Sequence, residues 1–150
     1  MKTLWILRIF LVPYALAVVA QPVLAGAYLS GEYDALVVHQ VNSIVLHSLA
    51  TLALFAAVAY WLGGRGRGWP ALVLLVLWVV IGFQAGFGYE RQLALHIPVG
   101  VGIVLTSVWL AVWSFTAAAR RTRPPRAGSR RARKAAVKAT RERVPEEVPA

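Results

Sequence analysis

The chain has 150 residues, 59% of them hydrophobic and only 15% charged, with no cysteine, yet its formal net charge is +10. An ordinary soluble domain carries roughly a quarter charged residues, so the charge has to be segregated, and eleven of the sixteen Lys and Arg indeed lie in residues 120–150. This partition excludes a compact soluble fold and a soluble nucleic-acid-binding domain, and the lack of cysteine excludes disulfides, thiolate metal sites, iron–sulfur ligation and covalent c-type haem attachment.

A membrane-spanning helix needs about 20 mostly apolar residues, because each backbone amide must find its partner inside the segment. The first such segment runs over residues 9–29, behind Lys2 and Arg8. Val23-Leu24-Ala25 also reads as the cleavage site of a secretory signal, but the long apolar region with Pro13, Gln21 and Pro22 suits a retained helix. Ser30-Gly31-Glu32-Tyr33-Asp34 leads to a second segment over 36–62, which carries His39, Gln40, Asn42, Ser43, His47 and Ser48. Gly63-Gly64-Arg65-Gly66-Arg67-Gly68 connects it to a third, 69–88, with Gly82, Gln84 and Gly86. Tyr89-Glu90-Arg91 then opens a fourth, 92–118, with His96 one turn from its start and Gly100 four residues on. The expectation is an all-α integral membrane four-helix bundle of two helical hairpins over residues 1–119.

Lys and Arg mark the cytoplasmic side of a membrane protein. Lys2, Arg8, Arg65, Arg67 and the tail share one side, whereas the other two loops hold Glu32, Asp34 and Glu90 against the single cation Arg91. Both termini are therefore expected in the cytoplasm, as in a multi-pass protein of the inner (plasma) membrane. Trp5, Trp61, Trp69, Trp113 and Tyr60 fall near the cytoplasmic boundaries, where they read as depth markers. Residues 120–150 are rich in Arg, Ala and Pro without an apolar stripe, so they are expected to form a disordered basic tail. Such a tail attracts anionic lipid headgroups; nucleic acid or an acidic protein partner is the lesser alternative.

Polar side chains inside the spans usually face the bundle interior. His39 and His96 each lie about one turn below the outer surface and so at matching depth, whereas His47 sits about 12 Å deeper at 1.5 Å per residue. Two neutral imidazoles at equal height on two parallel helices suit the axial positions of a haem b iron, built as bundle cofactor sites are from facing side chains. On that reading Gly100 leaves room for the macrocycle, Arg91 pairs with its propionates, and His47 lines the far edge or binds a second group. The alternatives are a proton-relay or quinone site, and plain interhelical hydrogen bonding. Gln21 and Gln84 read as packing groups.

The halves also repeat. Leu24-Ala25-Gly26 leads through an outer loop to His39, and Gln84-Ala85-Gly86 leads likewise to His96. At these residues, over about 9–117, the chain resembles one four-helix half of the haem A synthase family, in which the second and fourth helices each present a histidine to a haem. The resemblance implies that architecture and a bis-histidine haem site, for electron transfer or haem handling with a quinone or a larger membrane complex as partner. It does not extend to oxidation of a haem methyl group: Leu36 and Gln40 stand where the family's catalytic half has an acid and an Arg, the outer-loop cysteines are absent, and one half is present. A homodimer would rebuild the eight-helix arrangement. The contrasting reading is a non-enzymatic membrane subunit whose histidines only pack.

Overall fold

The computed structural model describes residues 2–124 together with Gly128, Arg133, Lys134 and Val137. Most of the expected basic tail lies outside the described residues. All regular structure among them is helical: α1 (Lys2–Leu29), α2 (Ala35–Leu62), α3 (Trp69–Tyr89), α4 (Leu93–Phe115) and the short α5 (Ala117–Arg120). α1 to α4 have 21 to 28 residues each and are long and apolar enough to cross a membrane. Their outward faces carry Ile9, Phe55 and Leu105, each more than 60% exposed. Water would penalise that surface and hydrocarbon would not, so it fits a lipid bilayer.

α1 packs on α2 and α4, and α3 packs on the same two helices. The helices meet at two unlike ends. The basic end gathers the start of α1, the glycine-rich α2–α3 loop and the end of α4; the acidic end holds the α1–α2 and α3–α4 loops. Burial divides the same way. Leu7, Leu11, Tyr14 and Val18 of α1, Ala50, Ala53 and Ala57 of α2, Leu74 of α3 and Leu110 of α4 form a closely packed core in the basic half. Alanines on α2 bring its backbone close to its neighbours, as small residues do between apolar helices.

Polar groups in this half are tied across helices. Ser107 Oγ donates to the Tyr14 hydroxyl at 2.9 Å, and the Tyr60 hydroxyl donates to the Ala119 carbonyl at 2.8 Å. α1 begins at Lys2 rather than at residue 9, because Arg8 is drawn inside the protein. Only 5% exposed, it donates from Nε and Nη2 to the Ser114 carbonyl at 3.0 and 2.7 Å. Its guanidinium also lies 4.7 Å from the ring centres of Trp5 and Phe115. Ser114 is in the last turn of α4, where carbonyls have no partner within the helix, and a cation there also answers the helix dipole. Arg8 is thus a latch between α1 and α4.

Two contacts add to this picture. Tyr60 and Trp113 are core residues, 3% and 8% exposed, and Trp113 stacks edge-on against Trp69 at 4.5 Å, so they fix packing besides marking depth. The docked chain also runs past the expected boundary at residue 119, since Arg123 Nη2 donates to the Trp61 carbonyl at 2.7 Å. Replacing Arg8 by Met keeps the length and removes the donors. We expect it to cost about 1.5–3 kcal/mol, the range for a hydrogen bond to a charged group. Thermal unfolding in detergent followed by circular dichroism checks this, and an unchanged Tm would contradict the latch.

Candidate functional site

The acidic half is built differently. Among residues 19–29, 35–45, 82–89 and 93–102, which make up that half of the four helices, Ala35 alone is buried. A methyl group added at Gly26 of α1, Gly86 of α3 or Gly102 of α4 would meet nothing within 4 Å. Of the polar residues singled out in the sequence, His39, His96, Gln21 and Gln84 meet in this half.

His39 on α2 and His96 on α4 come together, their ring centroids 6.3 Å apart and their planes at 49°. Each is held by the helix that precedes it. His39 Nδ1 lies 3.2 Å from the carbonyl oxygen of Gln21 on α1, and His96 Nδ1 lies 2.9 Å from the carbonyl oxygen of Gln84 on α3. A carbonyl can only accept, so Nδ1 must carry the proton in both rings, and a neutral ring then has its lone pair on Nε2. This is the preparation that metal-ligating histidines receive, one nitrogen fixed by a carbonyl so that the other is free to coordinate.

Gln84 grips His96 twice, because its side-chain Nε2 also donates to the His96 carbonyl at 2.6 Å. On the α1–α2 side the second tie is Asn42, whose Nδ2 donates to the Ala17 carbonyl at 2.7 Å. The Oε1 atoms of Gln21 and Gln84 are both buried without a hydrogen-bond partner, a costly state for a polar atom. Gln21 thus belongs to the site through its backbone carbonyl, and Gln84 through both its carbonyl and its side-chain amide, beyond the packing role expected of them.

Two glycines give this arrangement its room. A Cβ on Gly88 would stand 3.0 Å from His96 Cε1 and 3.2 Å from its Nδ1, so the ring lies directly on the α3 backbone. The sequence reading passed over Gly88. Gly100 is the second: its Cβ would stand 2.9 Å from Gln84 Nε2. The space over Gly100, expected to clear a macrocycle, is taken by the Gln84 amide.

His47 does not join the pair. Its ring packs edge-on against Trp78 of α3 with centroids 5.1 Å apart, and Trp78 Nε1 donates to Thr51 Oγ1 at 2.9 Å. His39, Ser43 and His47, four residues apart and so on one face of α2, are thus split between neighbours, and Ser43 returns its hydroxyl to the Gln40 carbonyl of its own helix.

Arg91 occupies the turn after α3 in the left-handed region, with φ 54°. Its amide bonds back to the Gly88 carbonyl and that of Gln92 to the Phe87 carbonyl, the pattern of a helix C-cap in which glycine usually fills the left-handed position. The α1–α2 turn repeats the pattern with glycine. Gly31, at φ 102°, bonds to the Tyr28 carbonyl and Glu32 to that of Ala27. The repeat is therefore structural, with Gln21, Gly31 and His39 matched by Gln84, Arg91 and His96. The register differs from the one read from sequence, where Leu24 was set against Gln84.

No known protein family, curated protein or solved structure matches the chain.

Gly88→Ala should push the His96 ring off the Gln84 carbonyl and leave His39 in place. In protein labelled with 15N-histidine, NMR should show both wild-type rings as the Nδ1–H tautomer, and the substitution should alter one of these signals only. If the His96 signal is unmoved, Gly88 does not shape the site.

Proposed function

We propose that the acidic half holds a haem b-like macrocycle whose iron is taken by His39 and His96, making the protein a small membrane cytochrome for electron transfer or haem handling. The observation that carries this is the histidine pair itself: two rings prepared with Nε2 free, facing each other where the bundle is least filled. Ring centroids 6.3 Å apart put both residues where they would hold one metal centre between them. Bound haem would supply a one-electron couple at the iron. The chain's part is to present two neutral imidazoles, hold their tautomer through Gln21 and Gln84, and keep water away with its apolar helices.

The polarity of the loops supports both termini in the cytoplasm of a plasma-membrane protein built of two helical hairpins, with the histidines near the outer face. Arg91 then stands above them as the outer cation that pairs with propionates, and its strained backbone supports a role for the side chain, since glycine would fit the turn at less cost. Reduction or oxidation would involve a quinone or a larger membrane complex, and a haem A synthase-like half-bundle, as the sequence resemblance implies, would use the same ligand pair. The basic tail would lie along anionic headgroups.

Protein purified in detergent from haem-sufficient cells should show a Soret band and, with dithionite, a sharp reduced α-band. Both should vanish in His39→Ala and in His96→Ala and persist in His47→Ala. Absence of a Soret band in the wild type overturns the proposal in favour of histidines that only pack. Arg91→Gly should fold at least as well as wild type yet lose haem to apomyoglobin faster, by about tenfold if one charge-assisted contact is removed; an unchanged transfer rate would remove Arg91 from the site.

A further inference from the structure

At the basic end the α2–α3 loop is pressed against the helix ends. A Cβ on Gly64 would stand 2.8 Å from the Tyr60 carbonyl, and one on Gly66 would overlap the Tyr60 ring. Between them Arg65 adopts φ 58°, the left-handed region that a side chain makes costly. In a loop otherwise supplied with glycine, an arginine stands at the position that most favours glycine.

Arg65 is latched to the start of the tail. Arg123 N donates to the Arg65 carbonyl at 2.9 Å, the Arg65 guanidinium donates to the Arg123 carbonyl, and Arg123 Nη2 donates to the Trp61 carbonyl in the last turn of α2. Two segments that are 58 residues apart in the chain thus bring Arg65 and Arg123 together, with Arg67, Arg120 and Arg121 within three residues of them along the chain. The only acidic groups among the described residues, Glu32, Asp34 and Glu90, lie in the loops at the other end. Like charges so crowded repel one another unless an anion intervenes.

The occupant follows from where the cluster sits. It lies at the ends of helices whose outer surface is apolar, beside Trp5 and Trp61, which are 58% and 37% exposed. Indole rings at such a boundary favour the headgroup layer, and arginine forks match phosphate oxygens. We propose that the latched loop and tail form a binding site for the phosphate of an anionic phospholipid, with Arg65 and Arg123 holding the site together and Arg67 and Arg121 as its exposed cations. This is a site of fixed geometry, distinct from diffuse attraction by the tail beyond residue 124. It rests on the reading of this end as a membrane surface and not on the haem.

Full-length protein in phosphatidylcholine nanodiscs, with and without phosphatidylglycerol, provides the test through its Tm. Phosphatidylglycerol should raise the wild-type Tm by about 4 °C or more, and inorganic phosphate should not. Arg65→Gly relieves the left-handed strain but removes the guanidinium tie to Arg123, so, measured against its own Tm in phosphatidylcholine, it should lose most of the rise; Arg123→Gln should lose it as well. The proposal is overturned if phosphatidylglycerol does not stabilise the wild type, or if inorganic phosphate stabilises it equally. It is also overturned if Arg65→Gly keeps the rise while a chain lacking residues 125–150 loses it, which would assign the effect to the tail alone. The Soret band measured on the same samples reports separately on the haem.

Discussion

A hydrogen bond from histidine Nδ1 to a backbone carbonyl of the preceding helix, made once in each half of the chain, is the interaction on which the rest of the acidic half depends. It joins α1 to α2 and α3 to α4, sets the tautomer of both rings, and turns them toward each other. In an apolar surrounding such a bond is hard to trade for water, so it persists as a geometric constraint. Gly88 and Gly100 are what it requires locally: one lets the ring reach the carbonyl, and the other lets the Gln84 amide close over the His96 backbone. The equivalence of the two halves is preserved through a change in length. Gln21 precedes the left-handed Gly31 by ten residues and Gln84 precedes Arg91 by seven, while His39 and His96 follow those turns by eight and five. Three residues, close to one helical turn, are added on both sides of the first turn, so the contacts stay level.

The basic half has the opposite character. Its core is closely packed, its ends are latched by Arg8 on Ser114 and Arg123 on Trp61, and its aromatic residues interlock. A closely packed half next to a less buried one would suit the cofactor site proposed above. The packed end fixes the helix positions, and the open end then offers preset groups without having to refold around a ligand.

The arginines show how much a charge depends on its setting. Arg8 looks in sequence like an orientation signal and is in the structure a buried tie between helices. Arg65 and Arg91 both stand where glycine would be cheaper, at opposite ends of the molecule, and in both cases the backbone cost directs attention to the side chain.

The four apolar helices and the matching depth of His39 and His96 were legible in the amino-acid sequence, because hydropathy over about 20 residues and rise per residue are local properties. The site's supports were not. Gln21 and Gln84 hold the rings through their backbone carbonyls, which every residue has, so no residue type announces that contact; only the Gln84 amide acts through its side chain. Gly88 and Gly100 matter for what lies opposite, which is known only when two helices are in register. The splitting of His39 from His47 likewise required knowing which neighbour each helix face meets. Sequence by itself therefore determined helices, their number and the level of the polar groups; only the tertiary structure decided which groups pair, which arginine is buried and which half is open, because these depend on contacts between segments far apart in the chain.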